Sequence, residues 1–120
     1  MPAFRPVAAL AVVLTLACAG LGRAEDRFFA AVEDLPVMPG LTERPGSTAT
    51  FEKPDGRIVS LTADGAVSRD AVVAFYDRVL PQLGWTRNAD GSFRRESERL
   101  RMAFAKAADG LSVRITITPE

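Results

Sequence analysis

The chain has 120 residues, no histidine and a single cysteine, Cys18. Without histidine there can be no Ser-His-Asp or Cys-His nucleophile. The imidazole ligands that ordinarily hold zinc, copper or haem are missing as well, and one cysteine does not replace them. Charge of one sign is also lacking, since 15 basic side chains face 15 acidic ones. A general nucleic-acid or membrane-surface binder needs a clear basic excess, so neither partner is expected. Finally, no apolar run is long enough for a bilayer span of about 20 residues.

The longest apolar run, "VAALAVVLTLACAGL" from Val7 to Leu21, follows a start carrying one positive charge, Arg5. A charged start, a short apolar middle and a small-residue exit describe a secretory signal peptide. Gly22 and Ala24 place small residues three back and one back from a cut before Glu25. A lipid anchor on Cys18 is the alternative. It is not favoured, because Thr15 stands where a lipoprotein signal wants a leucine-like residue, and no second anchoring signal accompanies it. The expected organisation is a signal peptide over residues 1–24, a proline- and glycine-rich lead-in over 25–46, and one domain over 47–120. The mature chain would keep 96 residues and a net charge near −2, and would reside in the periplasm or be secreted. Having no cysteine left to cross-link, it would depend on a core that a domain of this size can just supply.

The lead-in contains "EDLPVMPGLTE". Upstream, "DRFFAAVEDL" suits one or two helical turns, but Pro36, Pro39 and Pro45 with Gly40 and Gly46 forbid a long regular element. The prolines hold "LPVMPG" extended, so that Leu35, Val37 or Met38 can drop onto the domain. A metal role for Met38 is a poor reading, since a thioether without histidine or cysteine companions makes a weak site. Met38 remains a candidate docking residue because conspicuous loops carry function.

Beyond Ser47 the pattern becomes strand-like. "STATFEK" and "RIVSLTA" flank the turn "PDG", giving a hairpin of Ala49–Lys53 and Arg57–Ala63. One helix follows Ser68, a good N-cap, with Asp70 in the first turn where negative charge is favoured. Val72, Phe75, Tyr76, Val79, Leu80 and Leu83 form its apolar face. Pro81 kinks or ends it, and Gly84 closes it. The remainder reads as a meander of Trp85–Asn88, Phe93–Glu96, Leu100–Lys106 and Leu111–Thr118. With Ser97-Glu98 and Asp109-Gly110 as turns, Phe93 pairs with Met102 and Phe104 with Ile115. Phe93, Leu100, Met102, Phe104, Val113, Ile115 and Ile117 then share one face. The expected fold is α+β, an antiparallel sheet made of the N-terminal hairpin and the C-terminal meander, with one main helix packed on one face.

Two constellations stand out. On the outer sheet face this register sets Arg94 opposite Arg101, with Arg99 and Glu96 paired beside them. Such a patch can take a phosphate or carboxylate of a protein or small-molecule partner. Its bland counterpart is a solvated face neutralised by Glu96, Glu98 and Glu120. Tyr76 and Trp85 form the second, as walls of a small-ligand cleft at the helix end, against the plainer reading that they anchor the core. Carboxylates such as Asp55, Asp64, Asp90 and Asp109 fall in polar turns, where nothing raises their pKa. There is no phosphate loop, calcium loop or nucleophile elbow. Neither catalysis nor a cofactor is expected.

"EDLPVMPGLTE", "KPDGRIV" and "VVAFYDRVLPQLGW" together resemble small exported proteins of alphaproteobacteria whose function is unassigned. The resemblance runs from about Leu35 to Ile117, while the quoted motifs stop at Trp85. It implies a bacterial envelope location and a compact α+β module, and it transfers no catalytic residue. The residues thus point to an exported accessory or protein-interaction module, with a small-ligand-binding domain as the alternative.

Overall fold

The structure, a computed structural model, describes residues 27–120. The expected signal segment, Cys18 and the cut before Glu25 lie outside the described residues. In chain order the elements are β1 (Phe28–Phe29), β2 (Val32–Pro36), β3 (Leu41–Glu43), β4 (Ala49–Lys53), β5 (Gly56–Gly65), helix α1 (Arg69–Val79) with a 3-10 turn (Leu80–Leu83), β6 (Thr86–Arg87), β7 (Phe93–Arg95), β8 (Glu98–Ala107) and β9 (Gly110–Pro119). The class is α+β. Strands β1 and β2 make a small ribbon, and the other seven form one antiparallel sheet of order β3-β5-β9-β8-β7-β6, in which β4 also pairs with β5. No helix among the described residues is long and apolar enough to cross a membrane.

The helix begins where its cap allows. The Ser68 hydroxyl accepts a hydrogen bond from the Ala71 amide at 3.0 Å, satisfying one of the amides that a helix start leaves unpaired. Proline at 81 does not break the chain's course, because it enters the first turn of the 3-10 segment. Gly84 then adopts φ 94°, and the Gly84 and Trp85 amides close onto the Pro81 and Leu80 carbonyls.

Alternation along the long strands sorts side chains onto two faces. Val59, Leu61 and Ala63 of β5, Leu100 of β8 and Val113, Ile115 and Ile117 of β9 are buried together with Val72, Tyr76 and Leu80 of the helix segment. Each large side chain so buried contributes roughly 1.5–3 kcal/mol.

Two turns sit elsewhere than expected. The β7–β8 turn is Glu96-Ser97, so Phe93 faces Leu100 and Arg94 faces Arg99. Likewise Ala107 faces Gly110, which brings Phe104 opposite Val113 and Met102 opposite Ile115. Each register differs from the expectation by two residues. A slip of one would have turned every side chain over, whereas a slip of two leaves the faces intact. Two-residue hairpin loops favour positive φ, and Glu96 adopts 54°.

The lead-in differs more. Instead of helical turns, Phe28–Phe29 and Val32–Pro36 pair as a ribbon, and Leu41–Glu43 adds a strand against Ala63–Gly65. Burial is the physical reason. Phe29, Val32, Leu35, Val37 and Leu41 all enter the common core, a gain that outweighs a weak local helix preference. Gly65 makes the approach of β3 possible, since a Cβ there would lie 1.9 Å from the Gly40 carbonyl oxygen.

Candidate functional site

The outer face of the sheet is built from the alternate residues of β7, β8 and β9. Arg94 and Arg99 lie directly opposite each other, and Arg99 and Arg101 face Thr118 and Thr116. Arg114 extends the row opposite Ala103. The three arginines expected on this face are therefore brought together, although the facing pair is Arg94 with Arg99 rather than Arg94 with Arg101. Like charges across a ladder repel unless something neutralises them.

Two carboxylates supply that neutralisation. Glu120 accepts from the Arg99 Nε at 2.6 Å, and its own amide donates to the Ser97 carbonyl at 2.7 Å. The Arg99 guanidinium, and more distantly Arg94 and Arg101, hold the Glu120 carboxyl below its usual range. Asp90 lies 3.6 Å from Arg99 and 3.9 Å from Arg101. Its position is fixed by the Ser92 hydroxyl and amide, which both donate to Oδ1, and these bonds lower its pKa ahead of the arginines. The sequence suggested Glu96 and Glu98 for this role. In the structure Glu96 occupies the turn, while Glu98 pairs with Arg57 at 2.9 Å. Asp90 could have been anticipated from "NADGS", because an aspartate two residues before a serine readily forms a side-chain turn. Its proximity to the arginines depends on where that turn folds.

The balance on this face remains positive. Arg94 and Arg114 are exposed and make no ion pair among the described residues, and Arg101 has only the long contact to Asp90. A different carboxylate cluster marks the far end of the same face. Arg44 grips Asp64 through two bonds of 2.8 and 2.7 Å, and Ser112 bonds to both partners. Arg44 first and Ser112 second hold the Asp64 carboxyl down at about 2. This cluster ties the loop after β3 to β5 and β9. It is a clasp with its charges already matched.

The other expected site residues lie in the interior. Tyr76 is 0% exposed and Trp85 3% exposed. The Tyr76 hydroxyl donates to the Pro36 carbonyl at 2.8 Å and accepts from the Met38 amide at 3.2 Å. Burial pushes this phenol up to about 12, with the Met38 amide working weakly the other way. Trp85 lies under the Arg95 guanidinium, 4.4 Å from its ring, and Arg95 is itself held by Asp34 and the Leu83 carbonyl. Met38 is half-buried against the core. Tyr76 and Met38 are thus joined, but as a brace between helix and lead-in. Among the described residues, neither Tyr76 nor Trp85 lines the three main clefts, one of which, of about 450 Å³, runs beside α1 and β8.

Among the described residues no three acidic, cysteine or histidine side chains gather as a metal site would require. Compared with known proteins, the chain matches no family model, no curated sequence and no solved structure.

Proposed function

We propose that this chain is an exported, non-catalytic interaction module that captures an anionic partner on its outer sheet face through Arg94, Arg99 and Arg101. One observation carries the reading: guanidiniums from two adjacent strands crowd a face left uncovered by the described residues, and Arg94, which is exposed, has no carboxylate partner among them. Guanidinium groups in such an array suit carboxylate or phosphate oxygens, which they bind in a two-pronged geometry. Threonines at 116 and 118 add hydroxyl donors beside them. The resemblance to small exported alphaproteobacterial proteins agrees with a role in the envelope and with an accessory rather than a chemical task.

The test uses the chain from Glu25 to Glu120 and its R94E/R101E variant. Wild-type amides of β7 and β8 shift together in NMR titrations with phosphate or with a glutamate-rich peptide, and the variant loses that response while keeping its melting temperature. An equal response in both proteins, or none in the wild type, overturns the reading.

A further inference from the structure

The pairing of β7 with β8 stops at Leu100, opposite Phe93. From Arg101 to Ala107, β8 is paired with β9 alone. No hydrogen bond outside that ladder engages the main chain of this stretch among the described residues. Alternate residues of an antiparallel strand send both main-chain groups to the same side, so this edge presents a row of donors and acceptors without a strand to meet them.

The first part of this edge opens onto a cleft, which Arg101, Met102 and Phe104 line. Arg69, Val73 and Asp77 of α1 stand four residues apart on one helix face, and they form the opposite wall of the 450 Å³ cleft. Phe93, Met102 and Phe104 line its other wall from β7 and β8. Phe93 is buried, whereas Val73, Met102 and Phe104 are half-buried, with apolar surface left for an occupant. A helix lying alongside an unpaired strand edge, with apolar side chains between them, is the shape that accepts an added strand.

Charge narrows the occupant. Three guanidiniums, Arg69, Arg87 and Arg101, line the cleft against two carboxylates, Asp77 and Asp90. Both carboxylates are occupied, Asp77 by Arg87 at 3.4 Å and Asp90 by Ser92 and the outer-face arginines. Arg69 has no carboxylate among the described residues, and its guanidinium rests over the Phe104 ring at 5.0 Å. A cation held at the wall of a groove by an aromatic ring is positioned to meet an incoming acid.

We propose that the cleft between α1 and the free edge of β8 binds an extended segment of a partner protein. That segment adds as a strand to Arg101–Ala107, places apolar side chains against Val73, Met102 and Phe104, and sets an aspartate or glutamate on Arg69. The site shares Arg101 and Asp90 with the margin of the Arg94 face, but it does not depend on the reading given for that face.

A displayed library of random nine-residue peptides, selected on the Glu25–Glu120 chain, supplies the probe. Enriched peptides carry apolar residues at alternate positions with at least one acid. R69E weakens them at least tenfold, V73W abolishes binding by filling the cleft, and R94E leaves it within twofold. In hydrogen exchange, bound peptide slows the amides within 101–107, a readout that side-chain packing alone would not give. Circular dichroism and melting show that V73W folds, and R69E, on an exposed side chain, carries the test if it does not. No enrichment, enriched peptides indifferent to both R69E and V73W, or protection confined to other strands overturns the proposal. So does a concentration-dependent dimer that V73W removes, because the occupant would then be a second copy of this chain.

Discussion

The two faces of the same three strands contrast sharply. Along β9, Val113, Ile115 and Ile117 are 0%, 1% and 0% exposed, while the alternating Arg114, Thr116 and Thr118 lie on the other face. The inner row is covered by the helix and by the lead-in ribbon, so its identity is a matter of volume and burial. Among the described residues nothing covers the outer row, whose side chains fill no core, and of its arginines Arg99 alone has a close carboxylate partner, Glu120. A face that contributes little to folding is free to vary with function, which is why the search for function turns outward here.

That contrast is most easily broken by emptying the inner row. L61A, at a position 0% exposed, should cost about 2–5 kcal/mol, whereas T116V on the outer row of the neighbouring strand should stay within about 0.5 kcal/mol. Chemical denaturation of the two variants checks this, and equal losses would show that the outer row is covered after all.

A smaller effect probes the brace between the two parts of the inner layer. Y76F leaves the Pro36 carbonyl and the Met38 amide without their partner and should cost about 1–3 kcal/mol. Exchange at the Val37 and Met38 amides should speed up relative to β9. Alkali provides a second readout. The unfolded chain ionises Tyr76 near its ordinary 10.0, while the folded phenol keeps its proton until about 12. Stability contributed by the neutral phenol is therefore present below pH 10 and declines as pH rises toward 12. Y76F should lack this alkaline component; a superimposable alkaline profile would show the hydroxyl to be solvated in solution.

The smallest effect belongs to the outer face and its matched clasp. Asp64, normally titrating at 3.8, is held at about 2, so its contribution is present above pH 4 and fades as pH falls toward 2. The stability difference between wild type and D64N should shrink across that window. Because both partners are exposed, the change should be the slightest of the three. A difference that stays constant with pH would mean that Arg44 and Asp64 do not stabilise the fold as a pair.

Legibility in the sequence followed the range of the interactions. The helix with its Ser68 cap, the Gly84 stop and the Ala49–Lys53 hairpin strand were readable because caps, turns and strand alternation are local. The hairpin registers were readable in parity but not in place, since alternation repeats every second residue and cannot distinguish a register from one two residues away. The ribbon of Phe28–Phe29 with Val32–Pro36 was misread as helical turns because Phe29, Val32 and Leu35 recur at a spacing that also suits a helix. Of the candidate site, the arginine face was legible, whereas Asp90 as its counter-charge was not. Tyr76 and Trp85 looked equally fit for a cleft or a core until their surroundings were known.

The sequence by itself determined the excluded chemistries, the alternation that separates an apolar from an arginine-bearing sheet face, and the limits of helix α1. All of these follow from residue types and short-range periodicity. Only the tertiary structure decided that Tyr76 closes onto Pro36 and Met38, that Glu120 and Asp90 fall among the arginines, and that β7 ends early enough to leave one edge of Arg101–Ala107 without a partner strand among the described residues. Those outcomes join residues as many as 40 positions apart, and no local preference encodes such a meeting. They arise when burial of one shared core fixes every element at once.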